Sequence, residues 1–500
     1  MKVLIALDHS GFFRHFDTVA AHLCEQGHRV AVTTRLGPRG GEEYLRDLLE
    51  PLVQGPNGSY DLDLLKRSDS LRDRLRTTRE VMDYAIYFRR QHNSPLLAER
   101  REERCPPVAR RLVSTRTGRS LVSRDGLLRL YRRWQARVPA DPAIVDRVAA
   151  AAPDVLVACP FISPLCWDFE YLRAAQKLGI PTVAAVASWD NLSTKGTFHL
   201  MPDSILVWNR SLADEAAAIH AVPRDRLALT GGPKFDPYFG LEPSLSRERF
   251  CAQVGIDPER PYLLHLGSSE KVAGDETAFA RDLADALRAN PRTAGVQVMV
   301  RPHPVNGPIW RGFHHDGVVV YPPVGARPDV DGAREDYFHS LRYAVAALGV
   351  NTSAFLEAAI ADLPCLSVVS DRHREGQVDR GHFQHLLAGR FIETVQDLET
   401  AAEAVAELME GEDPRRERRR TFVADFVRPP GIERPAGEAT AEAILAAAAA
   451  GPRGPEPVVG GRRRRREQAG ASAPGALEPA VEPQAPPVLV EARTAAARRR

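Results

Sequence analysis

The sequence predicts an α/β protein with two domains, each built on a parallel sheet that helices cover. Apolar runs of strand length alternate along the chain with longer stretches whose apolar residues recur every three or four positions. Polar loops with small residues follow several of these strands, as is typical where parallel strands end near a ligand. Five prolines between residues 233 and 261 interrupt the alternation, so this stretch is the best candidate for a domain boundary.

The first predicted domain, residues 1–240, opens with a strand over Lys2–Leu7 and a helix over Phe13–Glu25. Its later strands are predicted at Arg29–Thr34, Val155–Cys159, Thr182–Ala187, Ser204–Trp208 and Leu227–Thr230. Asp8 and His9 come directly after the first strand, at the edge where parallel sheets bind their ligands.

A second polar loop of this domain, Ser188–Gly196, follows the strand Thr182–Ala187 and contains Trp, Asp, Asn, Ser, Thr and Lys side chains. Loops in this position commonly carry functional residues, which makes Asp190 a further candidate. The alternative is a polar turn that Trp189 anchors by packing.

Residues 40–140 are polar, helical in tendency and rich in arginine. Two interpretations are open for this predicted helical insertion. It is either a solvated helical face, or a surface that meets an anionic acceptor or an anionic membrane.

The second predicted domain, residues 258–430, repeats the alternation of strands and helices. Its strands are predicted at Tyr262–Leu266, Val296–Val300, Val318–Tyr321, Tyr343–Leu348, Cys365–Val369 and Phe391–Glu393. Gly267 and Ser268 follow the first of these, where small residues let backbone N–H groups approach a phosphate.

The loop Asn351, Thr352 and Ser353 precedes a helix predicted over Ala354–Ala361. A helix N-terminus at a strand end favours a phosphate, and Glu357, one turn into the helix, is placed for a sugar or ribose hydroxyl. The alternative is that Asn351 and Ser353 only cap the helix and that Glu357 only complements its dipole.

Composition limits the classes of function. With 44% hydrophobic and 26% charged residues and no apolar run near 18 residues, the chain is typical of a globular protein without a membrane span. The first residues enter a strand without a signal-peptide layout, and the six cysteines are scattered, so a reducing cytoplasm is expected. A terminal helix is predicted within 431–450.

Residues 451–500 are rich in Pro, Ala, Gly and Arg and are expected to be disordered. Arg462–Arg466 suit contact with anionic lipid or nucleic acid, or merely make the tail soluble. Ten arginines and five acids give residues 452–500 a charge of +5, which leaves −3 of the total +2 for the remaining chain. Because the rest of the chain carries no net positive charge, a specific nucleic-acid partner is disfavoured.

The common sequence signatures of P-loop, dinucleotide-binding, zinc-protease and serine-hydrolase sites are missing. Asp329 and Asp331 form a DxD pair, but a match this short arises often by chance. No metal and no resident cofactor are therefore predicted.

Three passages resemble the GT-B glycosyltransferase superfamily. Leu23–Val32 resembles its first passage from helix to strand, and Arg301-Pro-His303-Pro resembles a strand end of its bacterial polymer and capsule branch, which includes CDP-glycerol glycerophosphotransferases. The third passage, Asn351–Pro364, resembles the Ser–Glu-Ala–Pro helix of the donor site, without the Thr-Asp-Tyr-Ser-Ser run of the glycerophosphotransferases.

The resemblance implies two Rossmann-like domains with the nucleotide of the donor on the second. Residue by residue it implies that His303 and Ser353 contact the diphosphate, that Glu357 contacts a hydroxyl, and that Gly267 and Ser268 form the opposite wall. Arg301, Asn351 and Thr352 belong to the same predicted site. His9, with Asp8 beside it, or Asp190 would act as the base on the acceptor hydroxyl.

The function expected from this resemblance is metal-independent transfer of a sugar from a nucleotide diphosphate sugar to an unknown hydroxyl acceptor. Three alternatives stay open: a nucleotide-sugar 2-epimerase, an enzyme like the CDP-glycerol glycerophosphotransferases, and a non-catalytic nucleotide-binding scaffold. Peripheral contact with an anionic membrane through the arginine-rich segments is a further expectation.

Overall fold

A computed structural model describes residues 1–37, 42–89, 92, 97–98, 102, 105–163, 166–323, 325, 327–328, 331–369, 377 and 381–454. The predicted tail beyond residue 454, with Arg462–Arg466, lies outside the described residues. Within the described part, no helix combines the length and apolarity that crossing a bilayer requires.

The first sheet has seven parallel strands, which are β1 (Lys2–Leu7), β2 (Arg29–Thr33), β3 (Gly58–Asp61), β4 (Val155–Cys159), β5 (Thr182–Ala185), β6 (Ser204–Val207) and β7 (Leu227–Leu229). Their spatial order is β3-β2-β1-β4-β5-β6-β7. In register, Val3 of β1 lies between Val30 of β2 and Val155 of β4.

The second sheet has six parallel strands, which are β8 (Tyr262–Leu266), β9 (Gln297–Arg301), β10 (Val318–Val320), β11 (Ala347–Gly349), β12 (Cys365–Val368) and β13 (Ile392–Val395). Their order is β10-β9-β8-β11-β12-β13. The two sheets confirm the predicted fold class of two parallel-sheet, Rossmann-like domains.

Both sheets reverse their winding direction once, and this position matters for function. The reversal lies between β1 and β4 in the first sheet and between β8 and β11 in the second. Open parallel sheets bind ligands in the crevice outside the carboxyl ends of the strands at such a point. The loops after these four strands are therefore placed to form a site.

Helices cover both faces of the sheets. Their bounds are Asp17–Glu25, Glu42–Asp47, Glu50–Val53, Arg72–Ala85, Pro107–Ser114, Arg116–Val122, Asp125–Arg137, Pro142–Ala151, Asp168–Lys177, Asn191–Thr194, Arg210–His220, Arg247–Val254, Glu270–Ala273, Thr277–Ala289, Asp331–Arg342, Ala354–Ile360, Phe383–Ala388, Leu398–Met409, Arg416–Phe422 and Ala436–Ala450. Short 3-10 turns span Ser10–His15, Ile86–Phe88, Arg224–Arg226, Pro233–Tyr238 and Gly307–Trp310, and a π turn spans Val423–Val427.

The strands are apolar at nearly every position because both faces of each sheet are buried. In β1, Val3, Ile5 and Leu7 join one core, whereas Leu4 and Ala6 join the core on the other face. All five are at most 4% exposed. This continuous apolar run is the signal that made the strand predictable.

The arginine-rich region differs in part from the predicted helical insertion over 40–140. Its described residues include four helices between Arg72 and Arg137, as expected, but Gly58–Asp61 forms edge strand β3 beside β2. The strand has four residues and alternates too briefly to show a period, so the sequence pattern missed it. Gly58 is required there, because a Cβ would lie 1.8 Å from the Leu52 carbonyl oxygen.

The helix Ala436–Ala450 returns to the first sheet. Ala441 and Ile444 are fully buried in the same core as Val3 and Val155. Its start is fixed by Asp236, whose carboxylate accepts hydrogen bonds from the backbone N–H groups of Ala436 and Gly437. The sequence predicted the helix but not this return.

Candidate functional site

A cleft of about 860 Å³ lies between the carboxyl edges of the two sheets. Its lining comes from the loops after β1, β2, β4, β5, β7, β8, β9, β10 and β11 and from helices Asp331–Arg342 and Ala354–Ile360. Of the predicted site residues, the structure brings nine to this cleft: Asp8, His9, Asp190, Gly267, Arg301, His303, Thr352, Ser353 and Glu357. Ser268 and Asn351 do not line it.

Asp8 is held by hydrogen bonds at both carboxylate oxygens. Oδ2 accepts from Arg35 Nη2 at 3.0 Å, and Oδ1 accepts from the backbone N–H of Trp167 at 3.0 Å. Burial raises the pKa of Asp8, and the positive charge of Arg35 offsets only part of this effect. The hydrogen bonds from Arg35 and Trp167 fix the orientation of the Asp8 carboxylate at the cleft.

His9 follows Asp8 and lines the cleft with its ring against Phe12, at 4.2 Å between centroids. The 3-10 turn Ser10–His15 begins immediately after it. His9 therefore places an imidazole ring at the cleft, directly after the end of β1.

Asp190 lies on the loop after β5, close to Lys195. Burial pushes the pKa of Asp190 up, but the charges of Lys195 and His382 and hydrogen bonds from Ser188 and Thr194 outweigh it and leave the pKa lowered. The carboxylate is thus a weak proton acceptor. Trp189 is 3% exposed, and its ring centroid lies 5.1 Å from that of His382. The loop therefore has two roles, since Trp189 packs in the interior and Asp190 lines the cleft.

The ends of β8 and β9 are in direct backbone contact. The N–H of Gly267 donates to the carbonyl of Arg301 at 3.0 Å, and a Cβ on Gly267 would lie 2.8 Å from the backbone nitrogen of His303. Glycine is therefore required for the segment Arg301–His303 to occupy its position. His303 Nδ1 accepts from the N–H of Val305 at 3.2 Å, which in the neutral ring places the proton on Nε2, a donor.

Arg301 is anchored by the second domain. Its Nη1 donates to Asp336 Oδ2 at 2.8 Å and to Ser340 Oγ at 3.0 Å, and its guanidinium lies 5.2 Å from the centroid of the Tyr337 ring. Arg301 therefore contributes a fixed positive charge to the cleft.

Ser268 lies beneath the cleft wall and is completely buried. Its backbone N–H donates to Glu276 Oε2 at 2.7 Å, and Glu276 Oε1 lies 3.6 Å from Nε2 of His265. Burial raises the pKa of Glu276 to about 7 and lowers that of His265 to about 4, because it disfavours the charged form of each group. Ser268 thus supports the loop that carries Gly267.

The loop Asn351–Ser353 precedes helix Ala354–Ile360. The Ser353 side chain makes no capping hydrogen bond, whereas Thr352 Oγ1 accepts from the N–H of Ala354 at 3.3 Å. Asn351 is 4% exposed, and its Nδ2 lies 3.4 Å from His382 Nε2. Ser353 and Thr352 line the cleft, while Asn351 links the loop to His382.

Glu357 lines the cleft on the same helix and lies near a residue that the sequence analysis missed. Glu357 Oε1 is 3.7 Å from Lys234 Nζ, and the two side chains are 12% and 14% exposed. Lys234 follows β7 in the run Gly231-Gly-Pro-Lys, which occupies a strand end as the predicted loops do. The position of Lys234 after a strand could have marked it as a site residue. The sequence pattern assigned this stretch to a domain boundary instead.

Besides the predicted Arg301 and the missed Lys234, further basic side chains line the cleft. Among the described residues, six lysines and arginines line the cleft against three acids, and the six are Arg14, Arg35, Lys195, Lys234, Arg301 and Arg327. Arg14 lies on the turn after His9, where no motif marked it. Such an excess of cations favours a ligand with more than one negative charge.

His15 lines the cleft but is not suited to proton transfer. It is 5% exposed. Burial, together with the charges of Arg14 and Lys234, holds the pKa of His15 well below its usual range. This imidazole therefore stays neutral at physiological pH.

The part of the chain that the structure describes holds no group of three or more His, Cys, Asp or Glu side chains placed to bind a metal ion. Asp329 and the side chain of Asp331 lie outside the described residues. The six cysteines are unpaired; Cys24 is half-buried and the other five are buried.

No protein-family model and no curated protein matches this sequence. Solved structures resemble it at low identity. The UDP-GlcNAc 2-epimerase of Methanocaldococcus jannaschii in complex with UDP-GlcNAc and UDP is similar over 89% of this chain and 100% of its own, at 12% identity and a TM-score of 0.49.

A glycosyltransferase from Rickettsia africae is similar over 89% of this chain and 98% of its own, at 9% identity and a TM-score of 0.49. The UDP-GlcNAc 2-epimerase of Neisseria meningitidis bound to UDP-GlcNAc is similar over 90% of this chain and 100% of its own, at 14% identity and a TM-score of 0.46.

Proposed function

We propose that this chain is a GT-B-type glycosyltransferase that moves a sugar from a nucleotide diphosphate sugar to an acceptor hydroxyl. The observation that carries the proposal is the cleft, in which six basic side chains surround one space. They come from both sheet edges and from the linker, residues 230–261, between the last strand of the first sheet and the first strand of the second. A diphosphate is the part of a nucleotide sugar that such a charge excess would hold.

The donor is assigned to the wall formed by the second sheet. Arg301 and Arg327 supply positive charge there, and His303 can donate a hydrogen bond from Nε2 to a phosphate oxygen. Ser353 and Thr352 add hydroxyl groups at the adjacent strand end. These groups act most strongly on the negative charge that grows on the leaving diphosphate as the sugar departs.

The acceptor is assigned to the wall formed by the first sheet, and His9 is the proposed base. Asp8 is already oriented by hydrogen bonds from Arg35 and Trp167, and the lowered pKa values of Asp190 and His15 make both groups weak proton acceptors. His9 would take the proton of the acceptor hydroxyl as that oxygen attacks the sugar. No metal is included in the proposed reaction.

A test of the proposal measures release of nucleoside diphosphate from a panel of nucleotide sugars, with and without candidate hydroxyl acceptors such as glycans. The transferase releases the diphosphate in proportion to the acceptor and attaches the sugar to it. An epimerase would convert the donor alone into an isomeric nucleotide sugar. A scaffold would bind the nucleotide without changing the donor.

The resemblance of Arg301–Pro304 to the polymer and capsule branch extends this proposal to bacterial glycan synthesis in the cytoplasm. Enzymes of the glycerophosphotransferase kind are tested in the same assay by including CDP-glycerol. Release of CMP from that donor, with none from nucleotide sugars, would replace the proposed sugar transfer by glycerophosphate transfer.

A further inference from the structure

The helical segment 105–137 concentrates positive charge on a chain that is otherwise acidic. It contains nine arginines and one acid, Asp125, for a net charge of +8. Because the whole chain carries +2, all other residues together carry −6. Three helices make up most of the segment: Pro107–Ser114, Arg116–Val122 and Asp125–Arg137.

Only some arginines of this segment are engaged by hydrogen bonds to backbone carbonyls of the protein. Arg119 Nε donates to the carbonyl of Val113 at 2.8 Å, and Arg132 Nη2 donates to the carbonyl of His220 at 2.5 Å. Four other arginines of the segment are exposed to solvent, namely Arg111, Arg116, Arg124 and Arg137. A large share of the positive charge is thus presented outward.

The same segment also exposes large apolar side chains. Of the ten such side chains among the described residues, four lie within it: Leu112, Leu121, Leu130 and Trp134. Leu130 is 61% exposed, the highest value of the ten, and Trp134 is 37% exposed. Single exposed apolar side chains are common on protein surfaces, but a concentration of them rimmed by polar residues marks an interaction site. Four of the ten in one basic segment therefore indicate a contact surface.

Helix Asp125–Arg137 arranges these features on one face. Leu130 and Trp134 are four residues apart, and Arg137 follows three residues later, so all three share a side of the helix. The opposite side is buried in the protein through Leu128, Tyr131, Arg132 and Gln135. We call the outward side, defined by Leu130, Trp134 and Arg137, the basic face.

We propose that the basic face docks on the surface of a membrane that contains anionic lipid. Leu130 and the Trp134 ring would enter the interfacial layer, where tryptophan is favoured, and Arg137 on the same face, together with the other exposed arginines of the segment, would pair with anionic headgroups. A nucleic acid would use the arginines but would leave Leu130 in water. The pairing of aliphatic and basic side chains therefore favours the lipid surface.

The test is co-sedimentation of the full chain with phosphatidylcholine vesicles that contain or lack phosphatidylserine, at low and high salt. Binding is expected only with phosphatidylserine and weakens as salt is added. Trp134 reports directly, because Trp189, Trp208 and Trp310 are at most 3% exposed and Trp167 is half-buried. Its emission should shift to the blue on binding.

The variant Leu130→Ser, alone and with Trp134→Ser, should fold normally because both side chains are exposed. The double variant should bind phosphatidylserine vesicles about tenfold more weakly. Leu178→Ser is the matched control, since Leu178 is 38% exposed on another helix end, and it should bind as the wild type does.

Three results would overturn the proposal. The first is no binding to phosphatidylserine vesicles, and the second is unchanged binding of the double variant. The third is preference for a short DNA duplex over these vesicles in competition, which would assign the arginines to a nucleic acid.

Discussion

Lys234 and Glu357 form an ion pair within the cleft, with 3.7 Å between Nζ and Oε1. Lys234 stands on the linker after the first sheet, and Glu357 stands on the helix that follows β11 in the second sheet. The pair therefore joins the linker to the donor wall. Both charges are poorly exposed to water, so a bound diphosphate would compete with Glu357 for the ammonium group.

Replacing Lys234 should weaken nucleotide binding. Lys234→Met removes one of six cations and leaves the Glu357 carboxylate to repel phosphate, so the Kd for the preferred nucleoside diphosphate should rise about tenfold. Isothermal titration calorimetry measures this change. Lys177→Met, an exposed lysine outside the cleft lining, serves as the control and should leave the Kd unchanged.

Glu357→Gln separates two roles of this carboxylate. Without its negative charge, the affinity for the nucleoside diphosphate alone should be retained or increased. If Glu357 contacts a sugar hydroxyl, affinity for the intact nucleotide sugar should fall at the same time, because the amide is a weaker acceptor. If the affinities for the nucleoside diphosphate and for the nucleotide sugar changed equally, Glu357 would not contact the sugar.

Replacing His9 should affect turnover rather than binding. His9→Gln keeps a polar side chain at the end of β1 but cannot take a proton, so kcat should fall about a hundredfold or more while the donor Kd stays the same. His22→Gln on the neighbouring helix Asp17–Glu25 is the control. A kcat within twofold of the wild type would assign the base elsewhere.

Gly267 is predicted to be intolerant of any side chain. A Cβ there would lie 2.8 Å from the His303 nitrogen and 3.0 Å from the Arg301 carbonyl oxygen, and backbone atoms cannot move aside cheaply. Gly267→Ala should therefore displace the loop that carries His303. The loss of nucleotide affinity should be larger than any loss of folding stability would explain. Gly295→Ala, where a Cβ meets nothing within 4 Å, should bind normally.

The buried Glu276 makes stability depend on pH. Its pKa is raised to about 7 in the folded chain, above the ordinary value of 4.5, so its contribution is complete below pH 4.5 and is lost as pH rises towards 7. Glu276→Gln keeps an acceptor for the Ser268 N–H but does not ionise. Its unfolding free energy relative to the wild type should increase by about 2–3 kcal/mol between pH 4.5 and pH 8.

Urea unfolding of both proteins at the two pH values measures this difference. A difference between variant and wild type that does not change with pH would show that Glu276 does not titrate in this range on folding. Asp282→Asn, at an exposed position on the helix Thr277–Ala289 that follows Glu276, controls for the loss of a carboxylate.

Much of the fold was predictable, because buried parallel strands are short apolar runs. The bounds of Lys2–Leu7, Val155–Cys159 and Tyr262–Leu266 agree with the sequence prediction residue for residue. Strand β3 was not predictable, since an edge strand of four residues has no run to detect. The predicted domain limits, 1–240 and 258–430, stay predictions, with the strands of the sheets inside 2–229 and 262–395.

The site was predictable only where residues directly follow a strand. Asp8, His9 and Gly267 were found in this way, because position at the carboxyl edge is encoded locally. Lys234 and Arg14 were not, because their place in the cleft depends on how the linker and the first turn fold back. Ser268 and Asn351 were predicted to belong to the site because they also follow strands, but they do not line the cleft. They support the loops that do.

The measurement that tests the central claim most directly is thermal unfolding of the wild type and Lys234→Met with UDP, GDP, CDP and dTDP. A ligand that binds only the folded chain raises its Tm. We predict that one of the four raises the Tm of the wild type clearly more than the others and that Lys234→Met loses most of this shift. No shift with any of them, or the same shift in the variant, would contradict the assignment of the cleft to a nucleotide diphosphate.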